Sequence, residues 1–590
     1  MGRTIRKFVV VGMILVLVAA VFASVPMNVS AEGEYSSYFA GGIGSLADPY
    51  QITNVVQLQN MNLDLSANYI LVNDIDASAT SSWNWNVDHY EGFVPIGSYP
   101  SWFSGTFDGK GHKITNLYID RPSTDFVGLF GMNYQSEIKN VGLENIDITG
   151  CHYSGGLIGY NYYQSTISTS YTTGSVSGHN YIGGLSGYNQ YFSVISKSYT
   201  TCSVTGSTFV GGLVGYNYKS TIESSYATGS VTGSDRTGGL VGFNYWYAKI
   251  TDSYATGPVN GRSRVGGLVG DNYEYCTIES SYATGSVTGN GQHIGGLVGF
   301  NYKSTISKSY ATGTVKVYCY FAGGLVGTNG AYSSISNSYA TGSVTGVYYI
   351  GGLVGSNEYY STISNSYAIG SVTGYFPYTG GLVGFNHLPN TISSSYWDTD
   401  TSGTLKGVGY GPHDGVFGKT TAEMKQQSTF VGWDFINIWR INNDYPYLSW
   451  QITNEPPVAD AGADQTVVIS ETVTFDGSGS SDPDGTIESY TWDFGDSTPA
   501  GSGVSPTHAY STAGIYTVTL SVEDDVGATD TDTVILTVLT AEEATEEIDD
   551  YIQDLPEEAF DCNAEQRSNA LYEKLIENEE GDAVMQLIDS

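Results

Sequence analysis

The chain has 590 residues, among them 75 glycines and 48 tyrosines, and only 14% are charged; this points away from a compact enzyme and toward an extended β-rich protein of several domains. Its formal charge of -37 is unevenly placed, because residues 455–590 hold 32 of the 59 acidic residues but only two of the 22 basic ones, Arg567 and Lys574. An acidic tail repels nucleic acid and anionic lipid, so neither is an expected partner.

Taken in order, Arg3, Arg6 and Lys7 precede an apolar run over residues 8–23, and Val29-Ser30-Ala31 is a small-residue cleavage site. Residues 1–31 are therefore expected to be a signal peptide, with Pro26 and Asn28 opposing retention as an anchor helix, the one route to a membrane. Residues 32–124 hold short apolar runs (50–52, 69–72 and 113–119) between turns such as Asn73-Asp74 and Asp108-Gly109, and are expected to be an N-terminal cap with lead-in coils. Asp108 and His112 form an imaginable acid–base pair, but a turn aspartate and an exposed histidine are the expected roles.

Residues 125–397 are organised by repetition. Leu129, Leu157, Leu185, Leu213, Leu240, Leu268, Leu297, Leu325, Leu353 and Leu382 are separated by 27 to 29 residues, a period that marks stacked repeats. Asparagine stands four residues after every one of them, from Asn133 to Asn386. Such invariance predicts a ladder in which each side-chain amide bonds to those above and below. Tyrosine stands four residues after the repeat isoleucine at Tyr171, Tyr199, Tyr226, Tyr254, Tyr282, Tyr310, Tyr339, Tyr367 and Tyr396. Lys197, Asp252 and Lys308 fall between isoleucine and tyrosine, where strict alternation would bury them unpaired, so a bend is expected there. Beyond it Ser225, Ala227 and Val231 face inward, and Tyr226, Thr228 and Ser230 outward.

Three short strands per repeat with glycine corners suit a parallel β-solenoid of about ten 28-residue coils; propeller blades need about 40 residues. Five cysteines, at 151, 202, 276, 319 and 562, have no metal-ligand spacing. Cys151 and Cys319 share a repeat position six coils apart, about 29 Å, too far for a disulfide.

The Gly-Gly-Leu-Val-Gly core followed by Ser-Tyr-Ala-Thr-Gly-Ser-Val-Thr-Gly resembles the GLUG-motif repeats of microbial surface and secreted proteins. Residues 105–114 are similar to the first coils of right-handed parallel β-helix surface proteins. The resemblance implies a right-handed parallel β-helix with an adhesin-like role and no catalytic residues in the repeats. Residues 398–453 lose the period. Thr420 to Met424 reads as a capped helical turn, and Trp433, Phe435, Trp439, Tyr447 and Trp450 are expected to cover the last coil against edge-to-edge aggregation.

Asn454-Glu455-Pro456-Pro457 opens an alternating-strand domain at 454–540, expected to be a small β-sandwich. Trp492-Asp493-Phe494-Gly495-Asp496, residues 476–485 and His508-Ala509-Tyr510 resemble a PKD domain, an immunoglobulin-like module. Some members of that family bind calcium, which makes Asp482 and Asp484 the candidate metal ligands; no other cofactor is expected. Residues 541–590 change to helical spacing and are expected to form an acidic helical tail.

As for chemistry, Glu223 and Glu279 are two coils apart, close to the spacing of an inverting carboxylate pair, so a β-helix lyase or glycosidase is the enzymatic alternative. Residues 125–396 hold eleven acids in all, and Lys219 lies near enough in sequence to neutralise Glu223. The sequence therefore favours an exported, non-enzymatic surface protein that binds extracellular glycan or a surface protein, with a purely structural envelope role as the second alternative. Tyr171, Tyr199, Tyr226, Tyr254, Tyr282, Tyr310, Tyr339 and Tyr367 are the expected ligand-binding stripe.

Overall fold

The computed structural model describes residues 33–375, 378–451, 455–483, 485–525 and 527–546, so the expected signal peptide, most of the acidic tail, Asp484 and Cys562 lie outside the described residues. Two compact units divide at Trp450/Gln451.

The first unit is a parallel β-solenoid. One coil contains five short strands rather than three: Val214–Tyr218, Thr221–Glu223, Tyr226–Ala227, Val231–Thr232 and Asp235–Gly238. Each pairs in parallel with its counterparts one coil away, as in Asn217↔Asn244, Ile222↔Ile250, Tyr226↔Tyr254 and Val231↔Val259. The solenoid exceeds the ten coils of the leucine count because the lead-in joins its sheets. Tyr50–Ile52, Tyr69–Leu71 and Thr106–Asp108 head a 13-stranded sheet, and Val408–Tyr410 ends an 11-stranded one.

The interior is a set of columns. The leucines of the motif, the isoleucines nine or ten residues on, and Ala227, Ala255, Ala283 and Val231, Val259, Val287 are all buried. The paired glycines permit the coils to approach: a Cβ on Gly211 would lie 2.0 Å from the Val214 carbonyl oxygen, and one on Gly212 would lie 2.0 Å from that of Gly239. The expected bend after the isoleucine is present, and its cause is backbone conformation. Lys197, Ser224, Asp252, Ser280 and Lys308 are left-handed, with φ of 47–50°, which turns the next residue, a buried serine, inward. Each of those serines accepts a bond from the backbone N–H of the serine one coil before it, as Ser253 does from Ser225 at 3.2 Å.

All ten motif asparagines are buried, and nine successive Nδ2–H···Oδ1 bonds of 2.8–3.0 Å join them from Asn133 to Asn386. The four cysteines described are free thiols.

The aromatic segment after the last repeat does not merely close the end. Val416–Lys419 pairs with Ser395–Asp398, the Thr420 capping box starts a turn of helix, and residues 424–450 then run back along the flank of the tyrosine ladder. Met424, Phe430, Trp433, Trp439 and Leu448 form one core with Tyr339, Tyr367 and Tyr396. The Tyr367 hydroxyl donates to the Pro446 carbonyl at 2.5 Å, and Trp450 donates to the Lys308 carbonyl at 2.9 Å while its ring lies 5.7 Å from Tyr310.

The second unit contains a five-stranded and a two-stranded sheet around Phe475, Trp492, Val518, Leu520, Val534 and Leu536. Its sequence motif has plain structural work. Trp492 and Phe494 are core, Asp493 accepts from the Gly495 N–H at 3.0 Å, and the Tyr510 hydroxyl donates to the Phe494 carbonyl at 2.9 Å.

Two outcomes are expected. Asn244→Ala leaves the Asn217 and Asn272 amides each short of a partner in a dry interior and destabilises the neighbouring coils by about 2–4 kcal/mol, read as faster backbone hydrogen exchange across residues 213–297; unchanged exchange contradicts a structural ladder. Trp439→Ala costs about 3–5 kcal/mol of docking and makes Tyr367 accessible to a phenol-modifying reagent, which it otherwise resists.

Candidate functional site

Parity places the expected tyrosine stripe outward, and the structure determines what its rings touch. From Tyr171 to Tyr367 successive centroids are 4.7–5.0 Å apart with interplanar angles of 0–8°. Each phenol therefore has its faces against its neighbours, and only edges and hydroxyls remain for a ligand. Tyr339 and Tyr367 are buried beneath residues 424–450, and Trp450 lies beside Tyr282 and Tyr310, which corrects the expectation of an exposed stripe through all eight. Tyr171, Tyr199, Tyr226 and Tyr254 are half-buried, and the Tyr171 phenol is pushed up to about 12 by burial and by its bond to Glu144.

A second aromatic column occupies another corner. Phe126, Tyr153, Tyr181 and Phe209 stack at 4.6–4.9 Å, and His293, Phe321 and Tyr349 resume the column at 5.1–5.3 Å. Arg236 and Arg264 fill the two intervening coils, and every member is left-handed, with φ of 52–63°. The guanidinium of Arg236 lies 5.1 Å from Phe209 and donates to the buried Asp271 at 2.9 Å, with Arg264 at 3.5 Å. Burial drives the Asp271 carboxyl up to about 7 against the pull of both arginines. This network holds its own charges together inside the wall.

The third set is the one most open to solvent, and periodicity of the isoleucine and leucine columns does not point to it. In six of the coils the chain turns after the ladder asparagine through two successive left-handed residues, and the second projects outward; in five of them it is aromatic, and Phe192, Tyr247, Tyr275, Tyr332 and Tyr360 are 55–67% exposed. Tyr247 stacks on Tyr275 at 5.1 Å and Tyr332 on Tyr360 at 5.2 Å. In three coils the turn is one residue shorter and the projecting residue is missing: Tyr134-Gln135-Ser136 in the first repeat, and Tyr218-Lys219-Ser220 and Tyr302-Lys303-Ser304 within the ridge. At Lys303 a notch of about 610 Å³ opens, lined by Tyr275, Cys276, Thr277, Lys303, Ser304, Thr305 and Tyr332. The signal available in the sequence was the Tyr-Lys-Ser triplet standing where neighbouring repeats have four residues.

The carboxylates do not assemble a catalytic pair. Glu223 is exposed, Thr251 separates it from Glu279 in the ladder, Glu279 pairs with Lys308 at 3.3 Å, and Lys219 turns to the Trp246 ring at 4.3 Å. Asp108 and His112 also part, Asp108 accepting from the Lys110 N–H at 2.9 Å and His112 meeting Asp74 at 3.2 Å. In the second unit the Asp482 and Asp525 carboxylates converge on Gly485, where a Cβ would meet them at 2.5 and 2.3 Å. Asp125, Cys151 and His152 bring three potential metal-ligand atoms within 4.8 Å of one another. No helix among the described residues is long and apolar enough to cross a membrane.

Comparison with known proteins agrees with the repeat pattern. The GLUG motif matches residues 206–232, 261–288, 290–316, 320–345 and 346–373, and the PKD domain matches residues 454–538. Halomucin of Haloquadratum walsbyi is 40% identical over 116 residues, 18% of this chain and 1% of halomucin. A microbial collagenase of Vibrio alginolyticus is 40% identical over 98 residues, 16% of this chain and 12% of that protein. The chain thus spans only a small part of these curated relatives. Among solved structures, the PKD1 domain of Vibrio anguillarum Epp aligns at 38% identity over 15% of this chain and 99% of that domain, with a TM-score of 0.14. The chain therefore carries GLUG-motif repeats within its solenoid and a PKD domain over residues 454–538.

Proposed function

We propose that this is an exported surface protein whose solenoid binds extracellular glycan through its exposed corner ridge, in an adhesive role. The observation that carries the proposal is the ridge itself, with Phe192, Tyr247, Tyr275, Tyr332 and Tyr360 standing out over seven successive coils. Large exposed aromatic groups on a soluble surface favour an interaction role, and repetition at a fixed spacing suits a polymer by multiplying weak contacts. The tyrosine stripe, with its faces occupied, serves chiefly to stack the coils and to seat the C-terminal segment, and Tyr171, Tyr199, Tyr226 and Tyr254 offer a partner only their edges.

The repeats bind rather than cleave: their acids are sparse, and the carboxylates spaced for glycosidic chemistry are divided between an ion pair and open solvent. Calcium at the PKD domain belongs to the same proposal. Asp482 with Asp525 supplies the hard oxygen donors such an ion prefers, and Asp484 is close in sequence.

Two measurements follow. On a glycan array, Tyr247→Ser with Tyr360→Ser lowers apparent affinity at least tenfold, whereas Tyr226→Ala with Tyr254→Ala leaves binding by folded protein unchanged. The reverse pattern returns the site to the tyrosine stripe, and an array silent for the unmodified chain removes the glycan proposal. For calcium, millimolar Ca²⁺ raises the unfolding temperature of the PKD transition and a chelator reverses it; Asp482→Asn with Asp525→Asn abolishes the rise, and a temperature indifferent to Ca²⁺ excludes the ion.

A further inference from the structure

The ridge is interrupted where a shortened turn removes one ring, and the geometry of that interruption defines a ligand more closely than the ridge does. Tyr247 covers one face of Tyr275, and Tyr360 covers one face of Tyr332. The coil of Lys303 lies between these two stacked pairs and contributes no projecting ring. The uncovered faces of Tyr275 and Tyr332 therefore oppose each other across two coils, about 10 Å at the strand spacing. The notch between them holds about 610 Å³.

We propose that this notch is a clamp for one pyranose ring of a polysaccharide, a site that rests on the glycan-binding proposal and gives it a place. Carbon atoms in best contact lie about 3.5–4.0 Å apart. A flat aromatic guest touching both walls fills about 7–8 Å and leaves the slot loose; a puckered saturated ring, thicker by the depth of its chair, meets both. The floor has the matching polarity. Lys303, Thr277 and Thr305 line it. The Lys303 ammonium lies 5.3 Å from the Tyr302 ring, and the Thr305 hydroxyl accepts from Ser334 at 3.2 Å, which keeps its own proton to donate. These side chains suit the hydroxyl edge of a sugar whose C–H faces rest on the phenols. Ser304 is already committed, donating to the Tyr302 carbonyl at 2.9 Å and accepting from the Cys276 N–H at 3.1 Å, so it fixes the floor rather than reaching for the guest.

The other short turn within the ridge places Lys219 between the coils of Phe192 and Tyr247, three coils from Lys303 and about 14 Å along the rod. There the ammonium lies 4.3 Å over the Trp246 ring. Two interruptions on one ridge align with a chain that runs parallel to the solenoid axis, which is why the ligand is assigned as a polymer segment and not a free monosaccharide.

The test is calorimetric titration of the full chain with soluble oligosaccharides of glucose, of mannose and of galactose. Tyr275→Ala and Tyr332→Ala, both at exposed positions, each weaken the best of these at least tenfold. Inserting one tyrosine between Lys303 and Ser304 restores the four-residue turn with a ring at its projecting position, fills the notch while deleting no group, and abolishes binding. If the chain binds an oligosaccharide and all three variants bind it equally, the clamp is overturned and the ridge proposal stands. If the unmodified chain binds none of them, both fail. If a tyrosine- and tryptophan-rich peptide enters the notch in preference to the sugars, the saccharide assignment is overturned in favour of a protein partner.

Discussion

Everything on the surface of this solenoid is placed by the buried amide ladder. Parallel backbone pairing alone is compatible with a strand sliding by two residues, which keeps the same side chains inward. A column of asparagines, each bonded to the next at 2.8–3.0 Å in a dry interior, is not, because any slip leaves amides unpaired at a cost of about 1–3 kcal/mol each. Register held at that one column also fixes the leucine, isoleucine, alanine and serine columns beside it. It fixes the corners as well, since the projecting turn begins directly after the asparagine.

The corners explain the aromatic richness. Three of them run through left-handed backbone on residues other than glycine, a conformation costing about 1–2 kcal/mol for an L-residue. Stacking offsets the cost: an aromatic pair contributes about 0.5–1.5 kcal/mol beyond its burial, and coil spacing is close to stacking distance. Columns of tyrosine and phenylalanine are thus first a structural device. A ring is available for recognition only where its column is broken or ends, and that is why the shortened turn at Lys303 matters more than the number of tyrosines.

Much of this could be read from the sequence. The leucine spacing implies coils, the asparagine column implies a ladder, and Lys197, Asp252 and Lys308 imply a bend where the backbone indeed becomes left-handed. Other features depend on distances that spacing does not carry. Outward parity at Tyr226 says nothing of whether its faces are free, and they are taken by Tyr199 and Tyr254 at 4.7 Å. The tryptophans after the repeats announce a cap without saying which surface they cover; Trp450 reaches back to Tyr282 because the stacked phenols give indole rings a continuous edge to pack on. The division into five strands per coil is not legible in the sequence, because two-residue strands such as Tyr226–Ala227 have no periodicity of their own.

The central claim, that one internal amide column sets the register from which the surface follows, is tested most directly by the exchange of side-chain amide hydrogens in deuterium oxide. The ten asparagines from Asn133 to Asn386 are predicted to keep their Nδ2 hydrogens far longer than exposed amides such as that of Gln292, with protection falling toward the ends of the column. Exchange of all ten at the rate of an exposed amide would contradict the ladder and, with it, the placement of every column described above.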